Sequence, residues 1–305
     1  MSVKRLGGLV AALAIGAMVT PDAHGQLIIR TRDGIGADAE VRESAPDQNR
    51  GTSTEIASRI KESVPGGDPA DGGDRNSSIY LKFDLSNVSV DNVPGTTLRL
   101  TYRNTNLAQG RVQNDDTKEY TGISFYGLDV NNAGNDWSES TITYNTAPGI
   151  SPDGNIGTKD YNTSAGNLIP LGTQLFPQVT PQNHLPVGGA LDFSSAALDQ
   201  LITDAVNAGK PSVTIVAGVS HDGDDVWNDW LNFNYLFNPK EQLTLNNDSY
   251  DADTSDDVPA VTNLFGTDNS AGAFDPQLIM TVPEPSSVVL AGMSVLGLLA
   301  HRRRR

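Results

Sequence analysis

Apolar and polar residues alternate along several short segments of the chain, with the period of two that half-buried β-strands show. In residues 79–85 the alternation places Ile79, Leu81, Phe83 and Leu85 on one face. The same pattern recurs in residues 97–103, 122–130, 212–219, 231–237 and 277–282. Clusters of Gly, Pro, Asn and Asp separate these segments. Many short strands with turn-rich connections predict an all-β fold, an antiparallel β-sandwich or jelly roll.

One segment has the period of a helix instead. Its apolar residues recur at positions i, i+3, i+4, i+7 and i+8, and they are Leu198, Leu201, Ile202, Ala205 and Val206. This spacing predicts one short amphipathic helix. Ser194 is its expected N-cap, and Gly209 and Pro211 are expected to end it. We expect the helix to close one edge or end of the sandwich.

The chain of 305 residues has room for one large β domain or two small ones. It shows no repeat of fixed period and no second shift in composition. We therefore expect one domain over residues 27–281. The absence of cysteine means that this domain relies on its core, or on bound ions, rather than on disulfides.

The central part of the chain is strongly acidic. Of the 21 basic and 37 acidic side chains, residues 1–25 hold two basic and one acidic. Residues 282–305 hold four basic and one acidic. The rest carries 15 basic and 35 acidic side chains, a net charge of −20. Such a surface repels phosphate backbones, so nucleic acid is not an expected partner. It suits hydrated surroundings that are rich in cations.

The two ends of the chain carry export signals. Lys4 and Arg5 precede an apolar run over residues 6–19, and small residues stand before Gln26, which is the plan of a secretory signal peptide over residues 1–25. At the other end an uncharged apolar stretch, 288–300, stops at four arginines. It is shorter than the roughly 20 residues of a typical membrane span. The arginines favour a cytoplasmic end, so we expect a transmembrane helix that stalls in the membrane during export.

The tail at 282–305 resembles the PEP-CTERM sorting signal of Gram-negative bacteria that make exopolysaccharide. The resemblance rests on Pro283, Glu284 and Pro285, followed by the apolar stretch and the arginine cluster. It implies that a membrane-embedded exosortase recognises the three residues and cuts near them. The protein would then be secreted or placed on the cell surface by way of a membrane-anchored intermediate.

A second resemblance covers residues 38–148. The segments 37–42 and 46–51, the strands at 80–85 and 97–100, and the segment Trp-Ser-Glu-Ser-Thr-Ile-Thr-Tyr-Asn-Thr-Ala-Pro at 137–148 follow each other in the order of DNRLRE-type β-sandwich modules. These modules are relatives of carbohydrate-binding modules found on exported bacterial proteins. The resemblance implies a polysaccharide ligand, such as the cell's own exopolysaccharide. The six-letter string that names the family is absent, and insertions stand near residues 154–187 and 248–268.

Two loops are rich in carboxylates. The first holds Asp222, Asp224 and Asp225, and the second has five aspartates within residues 248–257. Calcium takes oxygen ligands of this kind, although neither loop has EF-hand spacing. A solvated acidic loop is the alternative. The sequence therefore offers calcium as a candidate cofactor, with the first loop as its candidate site.

The tryptophans next to the first acidic loop are candidates for sugar binding. Trp227 and Trp230 precede a predicted strand, and an exposed indole could stack its apolar face on a sugar ring. Burial in the core is the alternative. For Trp137 and Tyr144 we expect burial in the core or a role in anchoring a loop.

Catalysis is not expected. The central domain contains two histidines and neither a Gly-x-Ser-x-Gly nor an HExxH motif. Three functions remain open at this point: a non-catalytic polysaccharide-binding protein of the cell surface or matrix, a structural or adhesive surface protein without a sugar site, and a polysaccharide-degrading enzyme. We favour the first.

Overall fold

A computed structural model of the chain describes residues 25–61, 76–105, 122–152, 160–175, 189–219, 232–245 and 267–282. The chain divides into two compact units, Gln26–Val282 and Met1–Gly25 together with Pro283–Arg305. Gly25 is the sole described residue of the second unit. All secondary structure discussed below belongs to the described residues.

Thirteen β-strands and one α-helix lie in the described ranges. The strands are β1 (Gly25–Arg30), β2 (Ala37–Arg42), β3 (Ile56–Lys61), β4 (Ser77–Asp84), β5 (Thr97–Thr105), β6 (Gly122–Leu128), β7 (Leu168–Leu175), β8 (Ala190–Phe193), β9 (Ser212–Val219), β10 (Asn232–Phe237), β11 (Thr244–Leu245), β12 (Thr267–Asp268) and β13 (Gln277–Val282). The helix α1 spans Ala196–Asn207. The all-β class with one short helix is thus confirmed.

All six segments with clear alternation are strands, and they correspond to β4, β5, β6, β9, β10 and β13. The alternation did not predict the other strands as such. Strand β2 reads Ala-Asp-Ala-Glu-Val-Arg, so small and charged residues alternate where large apolar ones would mark a buried face. Both of its faces are nevertheless buried.

The strands form one curled antiparallel sheet in the order β1-β13-β5-β10-β3-β4-β9-β6-β7, with β2 paired to β4 and β8 paired to β5. Strand β5 belongs to two parts of the curl. Its first residues pair with β13 and β8, and its last residues pair with β10. A separate two-stranded sheet joins β11 to β12.

The curled sheet encloses one apolar cluster, which we call the inner core. Ile79, Leu81 and Phe83 of β4 are fully buried there, as the alternation predicts. Strands β5, β6, β9, β10 and β13 contribute to the same cluster, and helix α1 packs on it through Leu198, Ile202 and other residues of its apolar stripe. The helix therefore closes the inner core, in agreement with its predicted packing role.

The N-cap of α1 differs from the prediction. Ser195, not Ser194, has the extended backbone of an N-cap, and its hydroxyl accepts a 3.1 Å hydrogen bond from Leu198 N–H. The hydroxyl of Ser194 instead lies 2.9 Å from that of Thr97 on β5. Ser194 directly follows β8, so this sheet contact leaves the next serine to satisfy the free N–H groups of the helix.

No helix in the described ranges has the length and apolar character needed to cross a membrane. The predicted signal peptide and C-terminal membrane helix lie outside those ranges. Both remain predictions from the sequence.

Candidate functional site

The side of β4 and β9 that faces away from the inner core is also covered. Tyr80 of β4 and Val216 of β9 pack there against a second cluster, which we call the outer core. Its cover is the segment 137–148, the motif loop, which contributes Trp137, Ile142 and Tyr144. The most family-specific segment of the sequence is therefore a lid on the outer face of the sheet.

Trp137 fixes this lid through contacts on every side. Its indole N–H donates a 3.0 Å hydrogen bond to the hydroxyl of Thr214, and its ring meets Tyr80 edge-on at 5.9 Å between centroids. The ammonium of Lys82 lies 4.7 Å from the ring centroid and donates to the carbonyl of Trp137. The side chain is 9% exposed, so Trp137 is a loop anchor, as expected, and does not offer its face to a sugar.

The motif loop also docks onto the segment 46–51, the other family-like stretch near the N-terminus. The amide of Asn49 donates to the carbonyls of Glu139 and Ile142, at 2.6 and 2.7 Å. A Cβ atom at Gly51 would lie 1.9 Å from the carbonyl oxygen of Glu139, so this position admits glycine alone. Asn145 N–H donates to the carbonyl of Pro46. The two motifs are thus parts of one contact in this fold rather than separate sites.

The far end of the lid is held by tyrosines. The hydroxyl of Tyr144 donates to a carboxylate oxygen of Asp160 at 3.1 Å, and burial raises the pKa of Tyr144, with neighbouring carboxylates acting in the same direction. Tyr126 and Tyr161 pack with ring centroids 4.7 Å apart, and both are half-buried. Their rings therefore form an aromatic strip at the rim of the outer core that solvent reaches in part.

A cluster of ionisable side chains lies at one edge of the lid. It joins Asp38 of β2, Glu139 of the motif loop, and Lys240 and Glu241 in the turn after β10. Lys240 Nζ lies 2.6 Å from Glu139 Oε2 and 3.5 Å from Glu241 Oε1. Burial opposes the charge of Lys240, but these carboxylates outweigh it and raise its pKa. We call these four residues the carboxylate cluster.

Asp38 is the buried centre of this cluster. Its side chain is 1% exposed, and Oδ2 accepts hydrogen bonds from the hydroxyl of Thr31 and the backbone N–H of Lys240. Burial and the nearby Glu241 carboxylate raise the pKa of Asp38. Asp38 Oδ1, Glu139 Oε2 and Glu241 Oε2 are buried, and the carboxyl groups of Asp38 and Glu241 are close enough to share a hydrogen bond when one of them carries a proton.

The structure does not describe the site residues predicted from the sequence. Asp222, Asp224, Asp225, Trp227 and Trp230 lie outside the described residues, as does the second acidic loop. The same holds for the sorting residues at 283–285. The described part of the chain contains no group of three or more acidic, histidine or cysteine side chains arranged as metal ligands. Both the calcium loop and the sugar-stacking tryptophans therefore stay predictions.

The sequence argument missed the carboxylate cluster because its members are far apart in the chain. Asp38 and Glu241 are separated by eight further strands and come together only when the sheet curls. One local signal was present. Charged residues alternate with alanine and valine in β2, a pattern that a solvent-facing strand would explain but that two buried faces do not.

Two family models match parts of the chain. Residues 34–165 match carbohydrate-binding module family 96. Residues 281–305 match the PEP-CTERM protein-sorting motif, which indicates export to the surface of a Gram-negative bacterium. Both resemblances seen in the sequence are thereby confirmed. No curated protein matches the chain significantly.

The matched module is shorter than the structural unit that contains it. The match ends at residue 165, before β7. The inner core nevertheless includes Ile215 of β9, Phe237 of β10 and Leu278 of β13. The strands beyond the match therefore complete the same apolar core instead of forming a second one.

Proposed function

We propose that this chain is an exosortase-sorted protein of the cell surface or extracellular matrix whose β module binds polysaccharide without catalysis. The match of residues 34–165 to a carbohydrate-binding module family carries the proposal. The sorting motif supports it, because the motif delivers the protein to the place where exopolysaccharide is found. Carbohydrate-binding modules are non-catalytic, which agrees with the lack of nucleophile and metal-protease motifs in the sequence.

The proposed sugar contacts are Trp227 and Trp230. The described aromatic anchors Trp137 and Tyr144 are buried, so they are occupied in holding the lid. An exposed indole next to polar groups can stack on a pyranose ring and let the surrounding carboxylates and amides reach its hydroxyls. The net charge of the domain favours neutral polysaccharides, or acidic ones bridged by cations.

Calcium is part of this proposal at the loop of Asp222, Asp224 and Asp225. Three carboxylates in four residues would concentrate negative charge next to the two tryptophans, and a divalent cation would neutralise it. Bound calcium would then order the loop and could bridge to an acidic sugar. Removal of calcium is expected to weaken binding more for acidic than for neutral polysaccharides.

Affinity electrophoresis of the purified protein in gels that contain neutral or acidic polysaccharides tests the sugar site. We expect retardation by at least one polymer, and loss of retardation in a Trp227→Ala/Trp230→Ala variant with unchanged thermal unfolding. A Trp227→Phe/Trp230→Phe variant is the matched control, since it keeps two apolar rings and should retain part of the binding. Unretarded migration of the wild type in every polymer, with and without calcium, would favour a structural or adhesive role.

Export and sorting call for a separate experiment. We propose that the exosortase recognises Pro283, Glu284 and Pro285 and that the tail after them is discarded. Mass spectrometry of the surface or secreted protein should show a C-terminus close to these residues. A Glu284→Ala variant should accumulate in the membrane at its uncut length, whereas Ser287→Ala, a nearby change outside the motif, should be processed normally.

A further inference from the structure

We propose that Tyr126 and Tyr161, the aromatic strip at the rim of the outer core, form a second sugar subsite that stacks on the apolar face of a pyranose ring in a polysaccharide. This inference rests on the proposed polysaccharide-binding function and places a contact of that function inside the matched module. It does not require Trp227 or Trp230, which lie after residue 165, where the family match ends.

Tyr126 and Tyr161 differ from the other described aromatic residues of the matched segment 34–165. The others are buried, and they are Tyr80, Phe83, Tyr102, Phe125, Trp137 and Tyr144. Tyr126 and Tyr161 are both half-buried, so solvent reaches part of each side chain. A buried ring is occupied by its core contacts, whereas a partly exposed tyrosine offers an apolar face to a ligand. Within the described part of this segment, the pair is therefore the aromatic surface open to a sugar.

The two rings come from different parts of the fold and meet at an angle. Tyr126 belongs to β6, Tyr161 follows the motif loop in the chain, and both pack on the outer core. Their ring centroids are 4.7 Å apart, and their planes are inclined by 52°. Because the rings are tilted rather than stacked face to face, neither ring covers the whole face of the other. Aromatic surface therefore remains for a ligand even though the two side chains contact each other.

Tyr161 is held in place without a ligand. Its hydroxyl lies 2.6 Å from the hydroxyl of Ser78 on β4. It also lies over Gly218 of β9, where an added Cβ atom would be 1.9 Å from the tyrosine oxygen. The backbone of Tyr161 pairs with Ile150 in an isolated β-bridge. A ring that is fixed in this way loses little conformational freedom when a sugar binds, and this favours affinity.

Polar groups that can bond to sugar hydroxyls lie beside the strip. Asn162 directly follows Tyr161 and is half-buried. Ser124 stands two residues before Tyr126 in β6, so the two side chains share the outer face of the sheet. The hydroxyl of Ser124 lies 2.8 Å from that of Thr173 on β7, and Thr173 is exposed. An aromatic surface with a few adjacent hydroxyl and amide groups is the usual composition of a small-molecule site.

The experiment is affinity electrophoresis of the full purified chain in gels that contain a neutral β-glucan, a neutral galactomannan, alginate or pectin, the last two being acidic. The test variant is Tyr126→Leu/Tyr161→Leu, which keeps apolar side chains but removes both flat faces. We expect its affinity to fall about tenfold for each polymer that the wild type binds. The Tyr126→Phe/Tyr161→Phe variant keeps both rings and should retain most of the binding. Circular dichroism checks that both variants are folded.

Phe274→Ala is the matched control, because Phe274 is a half-buried aromatic residue outside the matched segment, in the turn before β13, and this variant should bind as the wild type does. If the double Leu variant does not fold, Tyr126→Leu alone repeats the test and leaves the contact of Tyr161 with Ser78 in place. Wild-type affinity in a folded Leu variant would overturn this inference and leave the proposed function standing. An equal loss in the Phe and Leu variants would also overturn it, since the hydroxyls would then carry the binding. A wild type that binds none of the polymers would overturn both proposals.

Discussion

The two faces of strand β4 are both buried, but by different means. Toward the inner core, Ile79, Leu81 and Phe83 pack among aliphatic and aromatic side chains from the rest of the sheet. Toward the outer core, the hydroxyl of Tyr80 donates a hydrogen bond to the carbonyl of Pro148 in the lid. The ammonium of Lys82 donates one to the carbonyl of Trp137. The inner face is held by apolar area, and the outer face combines apolar area with directed hydrogen bonds to a few residues.

This difference determines how each face should respond to substitution. Apolar packing is non-directional, so swaps of similar volume in the inner core have small effects. A directed contact leaves a buried polar group unsatisfied when one partner is removed, and that is costly. Single substitutions in the lid are therefore expected to lower the free energy of unfolding more than conservative substitutions in the inner core do.

The largest effect is expected from Trp137→Ala. The change opens a cavity, removes the indole donor from the Thr214 hydroxyl and removes the ring beside Lys82, whose bond to the backbone carbonyl stays. We expect the free energy of unfolding to fall by about 3–5 kcal/mol. Phe83→Leu, on the inner face, should cost less than about 1.5 kcal/mol because volume is nearly kept. Urea unfolding followed by circular dichroism measures both. Equal losses in the two variants would remove the distinction between the faces.

Gly51→Ala should have the next largest effect. The new methyl would collide with the carbonyl of Glu139 and push the lid away from segment 46–51, at an expected cost of about 2–3 kcal/mol. Gly166→Ala is the control, since that position has a φ of +84° but open space around it, and it should cost only about 1 kcal/mol. If both changes cost the same, the close approach at Gly51 is not what holds the lid.

Alkaline pH should lower the stability of the fold through buried tyrosines on both faces of the sheet. Burial raises the pKa of Tyr80 in the outer core and of Tyr102 in the inner core. A raised folded-state pKa means that stability is complete below the unfolded-state value of about 10 and is lost as pH rises above it, by about 1 kcal/mol per tyrosine and pH unit. Absorbance at 295 nm should show these tyrosines ionising together with unfolding. Their ionisation in a folded protein near pH 10 would contradict the burial on either face.

The smallest expected effect concerns the helix that closes the inner core. Ser195→Ala removes the N-cap hydrogen bond and should cost about 1 kcal/mol. Ser194→Ala, one residue earlier, removes an exposed contact with Thr97 and should change stability little. The urea midpoints of the two variants measure this difference. A lower midpoint for Ser194→Ala than for Ser195→Ala would indicate that Ser194 is the N-cap.

The sequence predicted the inner face well. Six strands, their inward residues and the apolar stripe of the helix follow from periods of 2 and 3.6, because each reflects the local geometry of the backbone against one apolar core. It also indicated both ends of the chain, since export signals are read as linear segments. The sorting motif match at residues 281–305 confirms the second of them.

Local periodicity did not predict the outer core or the carboxylate cluster at its edge. Residues 46–51 meet the lid, and Asp38 meets Glu241, only after the sheet curls and places distant segments side by side. Strand β2 shows the reason: its charged side chains indicate exposure by local pattern, yet Asp38 is buried against Thr31 and Lys240, and Glu40 against Arg42 and Arg50. Hydrophobic alternation along the chain predicted six of the described strands. The tertiary structure decided which charges the sheet encloses, because burial of a charge depends on neighbours that the local sequence does not contain.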